Sequence, residues 1–317
     1  MIRAQFYRKL ATATRLKSFD AVSLFTLLKK SGFPVKQDFT FKNQMATPTC
    51  HLPFIDRTST MQKLLCRLGQ QWSVPTHSRR PLVAFQSGAG GGKSRFIDEL
   101  VQFKWSNNFD HQATDAHSLE FWRQVREVED PNIIAKFKQE WDTQTVFLPI
   151  TFNGRMTWDP PAMKLDLAAR LLYSYCVDFT NHSVCAQDFV DLIQHDTPIR
   201  NPYAAIRLIT DHFISSMKIG EKHVRVVILV DELLKCDHPS KMLSLVCRLT
   251  DTRFPSVHSI DVIATTLEPE LVNRERTLTN RGIRLLPLPS LRGFRQFFTP
   301  TEFKIACLFG GVCIFKY

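Results

Sequence analysis

A lysine and a serine follow a run of glycines in the stretch PLVAFQSGAGGGKSRFIDEL, residues 81–100. Glycines leave backbone N–H groups uncovered, so a loop of this composition can curl around an anion. Lys93 adds a positive charge, and the hydroxyl of Ser94 is an oxygen ligand of the kind that Mg²⁺ takes. The chemistry that suits these residue types is the binding of phosphate groups together with a metal ion.

The spacing of the loop matches the phosphate-binding pattern GxxxxGK[ST] at every position except the first. Ser87 stands where the pattern has its first glycine, and Gly88 follows it. The alternative is a flexible linker, but a linker seldom joins a β-rich run to the start of a helix. The residues expected to contact a bound nucleotide are Ser87, Gly88, Ala89, Gly90, Gly91, Gly92, Lys93, Ser94 and Arg95.

Two acidic residues end a second apolar run, VRVVILVDELLKC. The continuous run Val226–Val230 is typical of a buried parallel strand, and Asp231 and Glu232 follow it directly. Asp231 is expected to hold Mg²⁺ through water, and Glu232 to polarise the water that attacks the phosphate. The alternative is a solvated acidic turn. The predicted metal ligands are therefore Ser94 and Asp231, and Glu232 and Lys93 are predicted to act in catalysis.

Further strand patterns predict an α/β fold. The runs TVFLPITFNG and SIDVIATT read as strands, RGIRLLPLPSL reads as an edge strand interrupted by prolines, and DLAARLLYSYC and YAAIRLITDHFISSM have helical spacing. Strands that alternate with helices indicate a mostly parallel sheet in a three-layer α/β/α sandwich. Thr265 and Thr266 end one of these strands, where a hydroxyl could sense the γ-phosphate, and Thr266 is the preferred catalytic candidate. The alternative is that these hydroxyls have no role.

The overall composition favours an intracellular protein with anionic partners. The chain of 317 residues carries 41 Lys+Arg and 30 Asp+Glu, a net charge of +11. Its eight cysteines lack CxxC spacing and are expected to be reduced thiols. No apolar run approaches the roughly 18 residues of a membrane span. Residues 1–50 are basic and weakly periodic, and are expected to form a leader or header segment, with mitochondrial targeting as an alternative.

The glycine loop and the acidic strand end together resemble the AAA+ and STAND branch of P-loop NTPases. In that branch a base-contacting box precedes the loop. The stretch LPFIDR lies at that place, and Arg57 carries over although Asp56 replaces the glycine. The segments FQSGAGGGKSRFIDEL, VFLPITFNG and ILVDELLK are more narrowly similar to the NTPase module of Crinkler and retrotransposon hot spot (RHS)-type proteins. The resemblance implies that Arg57 contacts the nucleotide.

This resemblance also implies a domain organisation. It covers about residues 50–311, so the NTPase domain is expected at 51–311, followed by a short tail at 312–317. Related modules have a sensor arginine after a Gly-Gly pair, whereas Gly310 and Gly311 run into VCIFKY. The chain is therefore expected to be a truncated member of the group.

The sequence leaves two functions open. The first is an ATPase that uses Mg²⁺, hydrolyses the β–γ phosphoanhydride bond and drives a conformational switch. The second is a nucleotide-binding scaffold with little turnover. ATP is preferred over GTP because no guanine-reading motif follows the strands. Self-association or a protein partner is compatible with both functions, and specific nucleic-acid binding is not predicted, because the basic charge comes without a reading motif. The expected location is the cytoplasm or nucleus.

Overall fold

A computed structural model describes residues 19–36, 60–61, 63–65, 68–69, 81–86, 93–103, 131–153, 156–178, 185–219, 224–266 and 283–287. For Gln86, Arg95, residues 131–135, Thr266, Ile283, Arg284 and Pro287 the description covers the backbone only. The chain divides into two compact units. One combines Met1–Phe39 with Asn153–Lys222, and the other combines Thr40–Phe152 with His223–Tyr317.

The described helices and strands alternate along much of the chain, as the sequence predicts. In chain order they are α1 Ala21–Lys30, β1 Leu82–Gln86, α2 Lys93–Gln102, α3 Pro131–Gln144, β2 Thr145–Thr151, α4 Met163–Cys176, α5 Ala186–Asp196, α6 Pro202–Met217, β3 Val224–Asp231, α7 Pro239–Leu249, β4 Val257–Thr266 and β5 Ile283–Pro287. Among the residues that the structure describes, no helix is both long enough and apolar enough to cross a membrane.

The five strands form one sheet in the order β2-β3-β4-β1-β5, and every described pair is parallel. The predicted α/β fold with a parallel sheet is thus confirmed. Strand β5 lies at an edge, which its prolines predict because proline cannot donate to a neighbouring strand. Strand β4 lies between β3 and β1, so its last residues lie between the end of the acidic strand and the end of the strand that precedes the glycine loop.

One face of the sheet packs against α2, α3 and the helical residues of segment 60–69. The shared core contains Val83, Phe85, Phe147, Val227, Leu229 and Ile263 from the strands, with Leu64, Leu65, Leu68, Phe96, Leu100, Phe137 and Trp141 from the helical segments. Leu64, Leu65 and Leu68 therefore share one buried helical face, and Phe96 and Leu100 share another. The alternate residues Val226, Ile228 and Val230 are also buried, as a parallel sheet covered on both faces requires.

A buried ion pair joins β3 and β4 within their amino-terminal halves. Arg225 Nε donates to Asp261 Oδ2 at 2.8 Å, and Arg225 Nη2 donates to the carbonyl oxygen of Leu68 at 3.1 Å. The guanidinium carbon lies 5.0 Å from the centre of the Phe137 ring. Arg225 and Asp261 are 1% and 3% exposed, so each charge is balanced by the other in a dry environment.

The unit formed by residues 1–39 and 153–222 contains α1, α4, α5 and α6. Helix α1 begins at the N-cap Asp20, whose carboxylate accepts from the Ser23 N–H at 2.8 Å, and α6 begins at Asn201, which accepts from the Ala204 N–H at 3.0 Å. Helix α4 is almost wholly buried. Within it, Arg170 forms an ion pair with Asp166 at 3.1 Å, four residues earlier and likewise buried.

Candidate functional site

The glycine loop connects the carboxyl end of β1 to the first residue of α2. Strand β1 ends at Gln86, helix α2 begins at Lys93, and Ser87–Gly92 lie outside the described residues. The helix is held against the sheet by its buried face, since the rings of Phe96 and Phe85 lie 4.5 Å apart between centres. The predicted order of strand, loop and helix is confirmed at both flanks. The amino end of a helix favours anions, because its first N–H groups lack partners within the helix.

Ser94 and Asp231 are brought together although they lie 137 residues apart in the chain. Ser94 Oγ donates to Asp231 Oδ2 at 2.6 Å. Ser94 belongs to the first turn of α2, and Asp231 is the last residue of β3 and only 2% exposed. This contact joins the end of the glycine-rich stretch to the acidic strand end, and the role of the two residues as metal ligands stays a prediction.

Thr265 binds the other oxygen of the same carboxylate. Its Oγ1 donates to Asp231 Oδ1 at 2.5 Å, and Thr265 is 1% exposed. The register pairs Val230 with Ala264, which makes Asp231 and Thr265 neighbours at the ends of β3 and β4. The strand pattern pointed to two adjacent threonines but gave no reason to connect Thr265 with Asp231.

Burial dominates the electrostatics of Asp231. It raises the pKa of the carboxyl above the usual 3.8, because a charge is poorly solvated there. The hydrogen bonds from Ser94 and Thr265 and the positive charge of Lys93 oppose that shift, whereas the charge of Glu232 adds to it. Lys93 is affected in the opposite sense: burial lowers the pKa of its ammonium group, and the two carboxylates raise it. One cation and two anions thus interact at the start of α2.

Glu232 has an unusual backbone conformation. Its φ of 51° and ψ of 40° lie in the left-handed region, which costs a residue other than glycine about 1–3 kcal/mol. A short 3₁₀ turn, Leu233–Lys235, follows it, and the Lys235 N–H donates to the Glu232 carbonyl at 2.9 Å. Within the described part of the chain, the buried Glu232 Oε2 has no hydrogen-bond partner. Residues with a strained backbone cluster at functional sites. A bound ligand could form the hydrogen bond that Glu232 Oε2 lacks.

The oxygen donors at this site fit Mg²⁺. Ser94 gives its single hydroxyl proton to Asp231, so the lone pairs of its oxygen remain available to a metal. Among the described residues, no group of three or more His, Cys, Asp or Glu side chains could hold a metal by itself. Mg²⁺ needs no such group, because it commonly takes one or two protein oxygens together with water and substrate phosphates.

Four of the residues expected from the sequence lie at this site: Lys93, Ser94, Asp231 and Glu232. The backbones of Arg95 and Thr266 belong to α2 and β4, but their side chains lie outside the described part, as do Arg57 and the whole of Ser87–Gly92. The roles assigned to all of these residues remain predictions.

Comparison with known proteins gives only distant structural similarity. No family model and no curated protein matches the chain. Cdc6p from Pyrobaculum aerophilum is 12% identical with a TM-score of 0.35, the alignment covering 80% of this chain and 49% of that protein. The ORC2 protein of Aeropyrum pernix, in ADPNP–ADP complexes, is 12% identical with a TM-score of 0.35, covering 86% and 56%. Drosophila ORC bound to GC-rich DNA and Cdc6 is 12% identical with a TM-score of 0.29, covering 82% and 71%. The chain therefore spans about half the length of the two archaeal proteins.

Proposed function

We propose that the chain is a P-loop NTPase that binds ATP with Mg²⁺ and hydrolyses the β–γ phosphoanhydride bond. The observation that carries this proposal is the 2.6 Å hydrogen bond between Ser94 and Asp231. It connects the serine that ends a GxxxxGK[ST]-like loop to a buried carboxylate on the neighbouring acidic strand, and both groups supply oxygen donors of the kind Mg²⁺ takes.

Each residue at the site has a part in this function. Lys93 and the first N–H groups of α2 bind the phosphates, since both carry positive charge and directly follow the glycine loop in the chain. The Ser94 oxygen would bind the metal, and Asp231 would hold it through water. Bound Mg²⁺ neutralises charge that develops on the phosphate oxygens. Glu232 orients the attacking water and accepts its proton, which its unpaired Oε2 allows. Thr266 senses the γ-phosphate, and Arg57 contacts the base.

The wider role follows the sequence resemblance. The chain is a member of the AAA+ and STAND branch, similar to the NTPase module of Crinkler and RHS-type proteins, and its nucleotide state drives a conformational switch. Such a switch requires a partner, which is a second copy of the chain or another protein. The place of action is the cytoplasm or nucleus.

Replacing Lys93 with alanine tests nucleotide binding. The variant loses a charge-assisted hydrogen bond worth about 1.5–3 kcal/mol, so ATP affinity falls about 10–100-fold in isothermal titration. Lys241→Ala is the matched control, because it removes the same charge from an exposed position on α7. Unchanged affinity in Lys93→Ala would show that the loop does not bind phosphate.

Replacing Glu232 with glutamine separates binding from chemistry. The amide keeps the shape of the side chain but cannot accept a proton from water, so ATP still binds while turnover falls by about 10²–10⁴. Phosphate release under excess Mg²⁺ measures this effect. The alternative function, a nucleotide-binding scaffold with little turnover, is favoured by the serine in place of the first loop glycine. Wild-type turnover no higher than that of Glu232→Gln would support it.

A further inference from the structure

We propose that Thr265 is a positioning residue for the magnesium site, whose hydroxyl fixes the Asp231 carboxylate in the orientation that holds the metal. This inference rests on the proposed function and assigns Thr265 a role that acts through Asp231 and not through contact with the nucleotide.

The two oxygens of Asp231 are held from two different elements. Ser94 on α2 donates to Oδ2 at 2.6 Å, and Thr265 on β4 donates to Oδ1 at 2.5 Å. Hydrogen bonds from a hydroxyl to a carboxylate at such distances are among the stronger ones in proteins. With both oxygens bound, rotation of the carboxylate about its last side-chain bond would break at least one of them.

Thr265 is suited to this task by its place in the sheet. Strand β4 pairs with β3 on one side and β1 on the other, so its backbone cannot shift towards or away from Asp231. The branched threonine side chain is restricted in its rotation, which holds the hydroxyl in one place. A hydroxyl has one proton to donate, and Thr265 gives that proton to Asp231.

The Ser94 contact explains why the orientation matters for the metal. While Asp231 accepts the Ser94 proton in a fixed position, the lone pairs of the Ser94 oxygen keep one direction. Without Thr265, the carboxylate is free to turn, and both metal-holding groups lose their relative placement. Loss of a group that orients a metal ligand commonly lowers metal affinity about 10–100-fold.

The test is the gain in ATP affinity that Mg²⁺ produces, taken as the dissociation constant in EDTA divided by that in Mg²⁺. Thr265→Val keeps the side-chain shape and removes the hydroxyl, so the gain falls about 10–100-fold while affinity in EDTA is unchanged. Thr265→Ser retains the hydroxyl and most of the gain. Ser259→Ala is the matched control, because Ser259 is a buried hydroxyl facing Asp261 on the same strand, about 20 Å from Thr265.

Two results would overturn the inference alone: a full Mg²⁺ gain in Thr265→Val, or an equal loss of affinity in EDTA and in Mg²⁺, which indicates general damage to the site. Absence of ATP binding by the wild-type chain would overturn the proposed function as well, so the two failures can be told apart. Circular dichroism checks folding, and Thr265→Ala replaces the valine variant if the latter does not fold.

Discussion

The two halves of the β3–β4 strand pair carry buried carboxylates with different partners. In the amino-terminal halves, Asp261 accepts from the guanidinium of Arg225 at 2.8 Å. At the carboxyl ends, the hydrogen bonds that Asp231 accepts come from the neutral hydroxyls of Ser94 and Thr265. Both carboxylates are almost fully buried, at 3% and 2% exposure. Burial alone therefore does not distinguish the two halves of the strand pair.

The difference in partners indicates a difference in role. The charge of Asp261 is balanced within the core by the Arg225 guanidinium, so this carboxylate has a structural role. The hydrogen bonds to Asp231 come from neutral donors, and burial raises its pKa despite the nearby charge of Lys93. A cation bound from solution would favour the ionised carboxylate. The Asp166–Arg170 pair in the other unit is a buried ion pair of the same kind as Asp261–Arg225. The carboxyl end is the one suited to a ligand.

Asp261→Asn should have the larger effect on stability. It leaves the buried Arg225 without its anion, and removing one partner of a buried ion pair costs about 3–5 kcal/mol. Urea unfolding followed by circular dichroism should show a much lower midpoint than in the wild type. An unchanged midpoint would mean that the pair does not hold β3 and β4 together.

Asp231→Asn should have a small or opposite effect on stability. Because the folded-state pKa is raised above 3.8, the protein loses stability as pH rises from below 3.8 through the raised value, and the ionised carboxyl opposes folding at pH 7. The neutral amide removes that penalty, so the free energy of unfolding at pH 7 should stay within about 1 kcal/mol of the wild-type value or exceed it. A loss as large as that in Asp261→Asn would remove the contrast between the two halves of the strand pair.

The sequence predicts much of the strand and helix pattern because the signals are local. Continuous apolar runs mark β2 and β3, and helical spacing marks α2, α4 and α6. The pairing of Ser94 with Asp231 was also predictable, since the loop pattern requires an acidic partner from a neighbouring strand. The ion pair between β3 and β4 leaves only a weak local signal: Arg225 interrupts the apolar run of β3, and Asp261 lies among the mixed polar and apolar residues of β4.

Features that depend on three-dimensional register were not predictable in this way. Which of two adjacent threonines meets Asp231 depends on how β4 aligns with β3, and no local pattern encodes that alignment. The left-handed backbone of Glu232 is likewise imposed by the turn after β3, because glutamate itself does not favour it. The grouping of residues 1–39 with 153–222 arises from packing between segments that are distant in sequence.

The most direct test of the account is the Mg²⁺ dependence of ATP affinity in Asp231→Asn. If Asp231 holds the metal of a bound nucleotide, wild-type protein binds ATP more tightly in Mg²⁺ than in EDTA. In Asp231→Asn that gain should shrink about tenfold or more, while binding in EDTA persists through Lys93 and the loop. An undiminished Mg²⁺ gain in Asp231→Asn, or a wild-type chain that binds no ATP, would contradict the account.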